Sequence, residues 1–334
     1  MWWRCSASER TRGQRTKVSR WADACAERGR LEAWVRDHAP DNTCKTYKVY
    51  AKQYIEYATL RSLAPESQVT LCAFMRHALE NRRLARSTIT SVIPAAVEDM
   101  FKFSSMSPGR DAGGRALLKA TKKTICMLTK SSVPKKPALR SQLEEMASMC
   151  GKGILEVRDM FLLILMFVGF LRESEAVGLC AEDVWLQKDA ETDMDTLYVV
   201  VKKSKTDQFS ENATIVIGAC PQSPLCPVRW YLEHKDLRMN VESLFHQLGK
   251  AAGQRLAKAT PNHILKKWMR KIKVDPKGYG SHSLRRGGTT AAAKAQVRMH
   301  VIKRHGRWAS DAVYLYIVDG LEEQVMVASA VLGF

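Results

Sequence analysis

Arg307-Trp308-Ala309-Ser310-Asp311-Ala312-Val313-Tyr314-Leu315-Tyr316-Ile317 is the stretch on which the reading of this chain turns. It closes on two tyrosines, about thirty residues after His282-Ser-Leu-Arg285 and far beyond Gly169-Phe-Leu-Arg172-Glu-Ser-Glu175. Arginine binds phosphate oxygens bidentately through its planar fork and stays charged. Histidine exchanges protons near neutrality, and a phenol becomes an oxygen nucleophile when its proton is taken. Two arginines, a histidine and a late tyrosine therefore suggest one phosphate site.

Outward from that stretch, His282 and Arg285 stand three apart on a helix expected over 282–294, which turns both to one side. Gly287 and Gly288 lack side chains, so a neighbouring backbone or a DNA strand can approach closely. Further upstream, Arg158–Leu171 reads as a core helix ending at Gly169-Phe-Leu-Arg172, with Ser174 able to cap a next helix through Val177. Arg172 then sits at a helix junction. The period changes at Thr196–Val201 and Ala213–Ile217, β-branched runs flanking Lys202-Lys-Ser-Lys205-Thr-Asp-Gln208 in the pattern of an antiparallel hairpin. Val184–Leu186 adds a third strand. Pro227 opens a helix to about His234, and others are expected over Val241–Gly249, Pro261–Ile272 and Val297–Arg304.

Thr129–Leu139, with Pro134, Pro137, serines and lysines, breaks two helical regions and marks an inter-domain linker. Before it, Asn42-Thr43 reads as an N-cap ahead of Tyr47, Tyr50, Tyr54, Ile55 and Tyr57, apolar at helical spacing and expected mainly in packing. Helices follow over Val69–Leu84, Ser87–Phe103 with Ser87 as a second N-cap candidate, and Arg115–Leu128. The fold class is mainly α with a small antiparallel β-sheet.

The 334 residues suffice for two domains, and 46% hydrophobic with 26% charged is ordinary globular composition. The net charge of +19 is not ordinary, and a polyanion, nucleic acid first, is its usual partner. Lys and Arg outnumber Asp and Glu by 27 to 12 over 1–140 and by 15 to 1 over 251–310, whereas 141–250 carries 11 against 17 and 311–334 carries 0 against 4. Two basic blocks separated by an acidic middle suit two surfaces facing one duplex. Nine cysteines show no pairing pattern, and Cys220 and Cys226 lack zinc-knuckle spacing, so reduced thiols in an intracellular protein are expected. The longest apolar run, Met160–Leu171, falls short of the roughly 20 residues that cross a bilayer, so no membrane role is expected. Met1–Arg20, rich in Arg and Ser, reads as a DNA-contacting tail, with an organellar transit peptide as the alternative.

These segments together resemble the tyrosine recombinase, phage-integrase-like family, whose catalytic set is Arg, Lys, His-x-x-Arg, His or Trp, and Tyr. Gly169-Phe-Leu-Arg172-Glu-Ser-Glu175 resembles its first-arginine motif, which implies a phosphate clamp at Arg172 and a supporting role for Glu175. Ser204-Lys205-Thr206 resembles its hairpin turn, implying that Lys205 is the general acid for the 5′-hydroxyl leaving group. His282 and Arg285 carry over as proton-transfer histidine and second clamp, and Gly306-Arg-Trp308 matches the variant with tryptophan, whose indole N–H can donate to a phosphate oxygen. Tyr316 precedes Ile317 as in the family's Tyr-Ile ending and lies eight residues past Trp308, which favours it over Tyr314 as nucleophile.

The resemblance implies strand cleavage through a 3′-phosphotyrosine bond, with no metal, cofactor or nucleotide triphosphate. Its partners would be double-stranded DNA and further copies of the chain, as a homodimer or homotetramer on DNA. It divides the chain into a basic extension (1–38), a helical core-binding domain that clamps DNA (39–130), a linker (131–139) and a catalytic domain (140–318). The remaining 319–334 would form a C-terminal helix, docked on a neighbouring protomer or on its own. Localisation follows the DNA: nucleus in a eukaryote, otherwise cytoplasm or nucleoid. His282-Ser-Leu-Arg-Arg-Gly-Gly288 and Gly306-Arg-Trp-Ala-Ser-Asp-Ala-Val313 lean towards transposon-borne crypton and DIRS-like members. Two alternatives share fold and charge: a domesticated DNA-binding protein without catalysis, and a type IB topoisomerase-like enzyme that relaxes DNA.

Overall fold

The computed structural model describes residues 30–31, 41–102, 104, 107–108, 112–130, 133–188, 193–202 and 213–320. Lys205, the basic extension apart from 30–31, and the C-terminal segment from 321 onward lie outside these residues. The chain divides into two units, Met1–Val133 and Pro134–Phe334.

The first unit is helical. It comprises α1 (Asp41–Leu60), α2 (Gln68–Glu80), a π turn (Thr88–Val92) running into α3 (Ile93–Phe101), and α4 (Ala112–Leu128). Tyr54 and Tyr57, three apart on α1, point inward against Phe74 of α2, with Tyr54 and Phe74 meeting edge to face at 5.6 Å. Ile89, Ile93, Val97 and Ile125 complete this core, whereas Ile55 faces outward. Ser67 caps α2 by accepting the Val69 N–H at 3.2 Å. Ser87 does not cap: its backbone is already helical (φ −62°, ψ −35°), one residue inside a helix that begins at Arg86, and its side chain makes no capping hydrogen bond.

The second unit wraps helices around α6 (Ile154–Val168), whose residues from Val157 to Phe167 are all buried, as a helix apolar on every side requires. The two polar members of this buried stretch pair, Arg158 Nη2 donating to Asp159 Oδ1 at 2.7 Å. Around it stand α5 (Arg140–Ser148), α7 (Glu173–Gly178), α8 (Pro227–Leu237), α9 (Thr260–Lys271), α10 (Ser283–Lys294) and α11 (Met299–His305). Strands β1 (Val184–Lys188), β2 (Asp195–Val201) and β3 (Ala213–Gly218) form the antiparallel sheet β1-β2-β3, in register Val184↔Val199 and Val199↔Ile215. Leu197, Val199 and Ile215 face the core. No helix among the described residues is long and apolar enough to cross a membrane.

Two further local expectations are corrected. Val241–Gly249 is not a helix: Ser243 bridges to Cys180 and His246 to Arg255, so its backbone groups pair with distant chain rather than along an axis. Ser174 does not cap α7. Arg172 takes the N-cap position and the Glu175 carboxylate accepts its N–H at 2.9 Å, so Ser174 already lies inside the first turn.

Candidate active site

The site begins where α6 stops. After Gly169 the chain takes a left-handed residue, Phe170 (φ 47°), and the turn presents Arg172 at the head of α7. Glu175, three residues on, is 4% exposed, and isolating a carboxylate in that way costs several kcal/mol unless cations meet it. Three arginines do. Arg172 Nη1 pairs with Oε1, Arg307 Nη2 donates to Oε2 at 2.9 Å, and Arg285 Nη1 lies 3.8 Å from Oε2. Burial pushes the Glu175 pKa up, but Arg307 and Arg172 outweigh it and hold the carboxyl below the ordinary glutamate value.

Arg285 is fully buried on α10. Its Nη1 donates to the Phe170 carbonyl and its Nη2 to the Gly306 carbonyl at 2.6 Å. Burial first, then the neighbouring Arg172 charge, pull its pKa below the usual arginine range. The Trp308 ring lies over its guanidinium at 4.1 Å, a cation–π contact that fixes the plane of the fork. Trp308 itself is packed against Gly306, where an added Cβ would meet the indole at 1.7 Å.

Helix α10 reaches this place because Gly287 and Gly288 let it press on backbone. A Cβ at Gly287 would stand 1.9 Å from the Ala138 carbonyl oxygen, and one at Gly288 would stand 2.0 Å from that of Phe167. The same helix holds the tyrosine segment. Arg286 Nη2 donates to the Leu315 carbonyl at 2.9 Å, Thr290 Oγ1 donates to the Tyr316 carbonyl at 3.2 Å, and the Val318 N–H reaches the same hydroxyl at 3.2 Å. The segment forms a 3₁₀ turn over Asp311–Leu315, capped by Ser310, rather than a continuous helix. This decides the direction of the two tyrosines. Tyr314 is 56% exposed, whereas Tyr316 turns in, its ring 5.2 Å from that of Trp308 and its hydroxyl 3.4 Å from Nδ1 of His282.

Arg172, Glu175, His282, Arg285, Trp308 and Tyr316, drawn from three separated segments, thus meet in one place; Lys205 lies outside the described residues. A further residue at the site, Arg307, had no sequence signal of its own beyond its place beside Trp308, because a buried ion pair with Glu175 is visible only once the two segments meet. Three guanidiniums around one carboxylate leave an excess of positive charge beside a phenol and an imidazole. Such a place suits an anion with in-line oxygens, such as a phosphodiester.

Residues 139–316 match the model of the phage integrase family. An integrase/recombinase xerD homolog of Selenomonas ruminantium is 25% identical over 291 residues, 84% of this chain and 82% of that protein. Among solved structures, the Tn1549 transposon integrase in complex with transposon right end DNA aligns with a TM-score of 0.60 at 13% identity, over 91% of this chain and 98% of that one. The XerH site-specific recombinase bound to palindromic difH substrate aligns at 0.58 with 14% identity, over 86% and 79%. A lambda integrase dimer bound to a COC′ core site aligns at 0.56 with 14% identity, over 87% and 76%. These structural likenesses establish the fold.

Proposed function

The chain belongs to the phage integrase family, and on that premise we propose that it is a site-specific DNA recombinase that cleaves and rejoins strands through a 3′-phosphotyrosine intermediate. The observation that carries this reading is the meeting of Arg172, Arg285, His282, Trp308 and Tyr316 in one cationic cluster.

The chemistry follows from those groups. Arg172 and Arg285 neutralise the non-bridging oxygens of the scissile phosphate, with the Trp308 indole N–H as a further donor. A free phenol of pKa about 10 is a poor nucleophile at neutral pH. The arginine charges stabilise the negative charge that builds in the transition state, and His282 accepts the proton as the Tyr316 oxygen bonds to phosphorus. The bond from phosphorus to the 5′ oxygen breaks in the same step, and Lys205 in the β2–β3 connection gives that oxygen its proton. A 5′-hydroxyl from a partner strand later attacks the phosphotyrosine and returns the phenol. The bond energy is kept in the covalent intermediate, so rejoining needs no nucleotide triphosphate.

The partners on this reading are double-stranded DNA and further copies of this chain, as in the lambda integrase dimer on its core site. The basic blocks at 1–140 and 251–310 support a duplex held on two sides. His282-Ser-Leu-Arg-Arg-Gly-Gly288 and Gly306-Arg-Trp-Ala-Ser-Asp-Ala-Val313 support a transposon-borne enzyme of the crypton and DIRS-like kind, acting in the nucleus of a eukaryotic host or the nucleoid of a bacterial one. Terminal or inverted repeats in the DNA flanking the coding region would supply the substrate, and their absence would count against this narrower assignment. Nicked suicide substrates built on those repeats test the activity: a recombinase traps a covalent adduct and joins paired sites. A silent binder traps none, and a relaxing enzyme cleaves without needing a second site.

A further inference from the structure

Arg307 occupies a backbone conformation that glycine favours, φ 59°, immediately after Gly306. A long side chain there costs about 1 kcal/mol or more, so something must hold it. Its guanidinium is buried, with 7% of the side chain exposed. Nη1 donates to the carbonyls of Gly169 at 3.4 Å and His305 at 2.9 Å, and Nη2 to the Phe170 carbonyl at 3.2 Å and Glu175 Oε2 at 2.9 Å. Each Nη carries two hydrogens, so every Nη donor is spent inside the protein. Arg172 differs: among the described residues its guanidinium is engaged through Nη1 with Glu175, and its other nitrogens can turn to a ligand.

Arg307 therefore touches both fixed points of the site. It shares the Phe170 carbonyl with Arg285 and the Glu175 carboxylate with Arg172. When Arg172 and Arg285 turn their donors towards a phosphate, Glu175 keeps one permanent partner and stays ionised and in place. Without that partner the carboxylate would compete with the phosphate for the two clamps.

From this geometry we infer that Arg307 is a positioning residue for strand cleavage, a standing counter-charge that locks Glu175 and the Phe170 turn so that Arg172 and Arg285 are presented to the scissile phosphate. It does not touch the DNA itself. The inference rests on the recombinase reading above. It concerns a residue outside the Arg, Lys, His-x-x-Arg, Trp and Tyr set.

The test compares the parent chain with Arg307→Gly, which relieves the backbone, and Arg307→Lys, which restores one charged donor. Each is measured on a nicked duplex of the element's own end sequence, with adduct yield normalised to folded protein. The expected result for Arg307→Gly is DNA affinity within about twofold of the parent and covalent adduct formation slowed by about 10–100-fold, the scale of misplaced catalytic groups. Arg307→Lys recovers part of that rate. A pH profile separates positioning from folding. Glu175 faces Arg172 from the head of its own helix, Arg285 from α10, and Arg307 just after the end of α11. Removing the Arg307 charge raises the pH at which Glu175 takes a proton, so the acid limb of adduct formation moves upward in Arg307→Gly and back in Arg307→Lys. An adduct rate within twofold of the parent in Arg307→Gly overturns the inference, as does a rate loss with the acid limb unmoved in both variants. A parent chain that forms no adduct overturns the recombinase reading instead.

Discussion

The hydroxyl of Tyr316 lies 3.4 Å from Nδ1 of His282, while Tyr314, two residues earlier, turns to solvent with 56% of its surface exposed. An acceptor within reach of the phenol is what general-base activation of a tyrosine needs. Among the described residues, only Tyr316 of the two has it.

Tyr316→Phe is expected to bind DNA with parental affinity and to form no covalent adduct, read on a denaturing gel with a nicked substrate. Tyr314→Phe is expected to form adduct at a rate within about twofold of the parent, since an exposed ring contributes little to packing or chemistry. Adduct of undiminished yield in Tyr316→Phe would move the nucleophile to Tyr314.

His282→Ala removes the acceptor without entering the core, because His282 is exposed at the head of α10. Adduct formation is expected to fall by about 10²–10⁴-fold, the usual worth of a positioned general base, with the thermal midpoint nearly unchanged. Single-turnover kinetics and a melting curve check the two halves. Parental kinetics would remove His282 from proton transfer.

Thr290→Val keeps shape and deletes the hydroxyl that bonds the Tyr316 carbonyl and the Val318 N–H. Losing this grip is expected to cost about 1 kcal/mol in holding the nucleophile, and so to slow adduct formation roughly fivefold at unchanged DNA affinity. An unchanged rate would show that the 3₁₀ turn positions Tyr316 unaided.

Gly288→Ala sets a Cβ 2.0 Å from the Phe167 carbonyl oxygen, against the backbone of α6, where nothing flexible can yield. A loss of about 3 kcal/mol or more of stability is expected, or failure to fold, judged by denaturant titration. Gly178→Ala is the control: an added Cβ there meets nothing within 4 Å, and the midpoint should move little.

His234 is wholly buried between Phe161 and Phe245, and burial pulls its pKa down to about 3. The unfolded chain binds the proton near the ordinary value of about 6.5 and the folded one does not, so stability falls as pH drops across that interval. The slope from this residue is about 1.4 kcal/mol per pH unit at most. His234→Leu should flatten the dependence of the denaturation midpoint on pH between about 6 and 3.5. An unchanged slope would assign the acid loss to other groups.

The elements were largely readable from the chain, because each carries its own signal. Alternating β-branched residues mark β2 and β3, apolar spacing marks α1, and an uninterrupted apolar run marks α6. The misses share one cause. Ser174 and Ser87 have cap-forming side chains, but in the fold Glu175 closes the first turn of α7 and the helix around Ser87 has already begun. Val241–Gly249 has helical spacing, yet its backbone pairs with Cys180 and Arg255. In each case the surrounding chain, rather than the residue's own side chain, decided the outcome.

The sequence by itself determined the helical class, the three-stranded sheet, the basic character and the residue types of the site, because period, charge and side-chain chemistry are local properties. Tertiary structure alone decided which backbone Gly287 and Gly288 admit, which tyrosine meets His282, and that Arg307 joins Glu175. Those are relations between segments far apart in the chain. Their distances follow from packing, which burial of the whole core sets and no short stretch encodes.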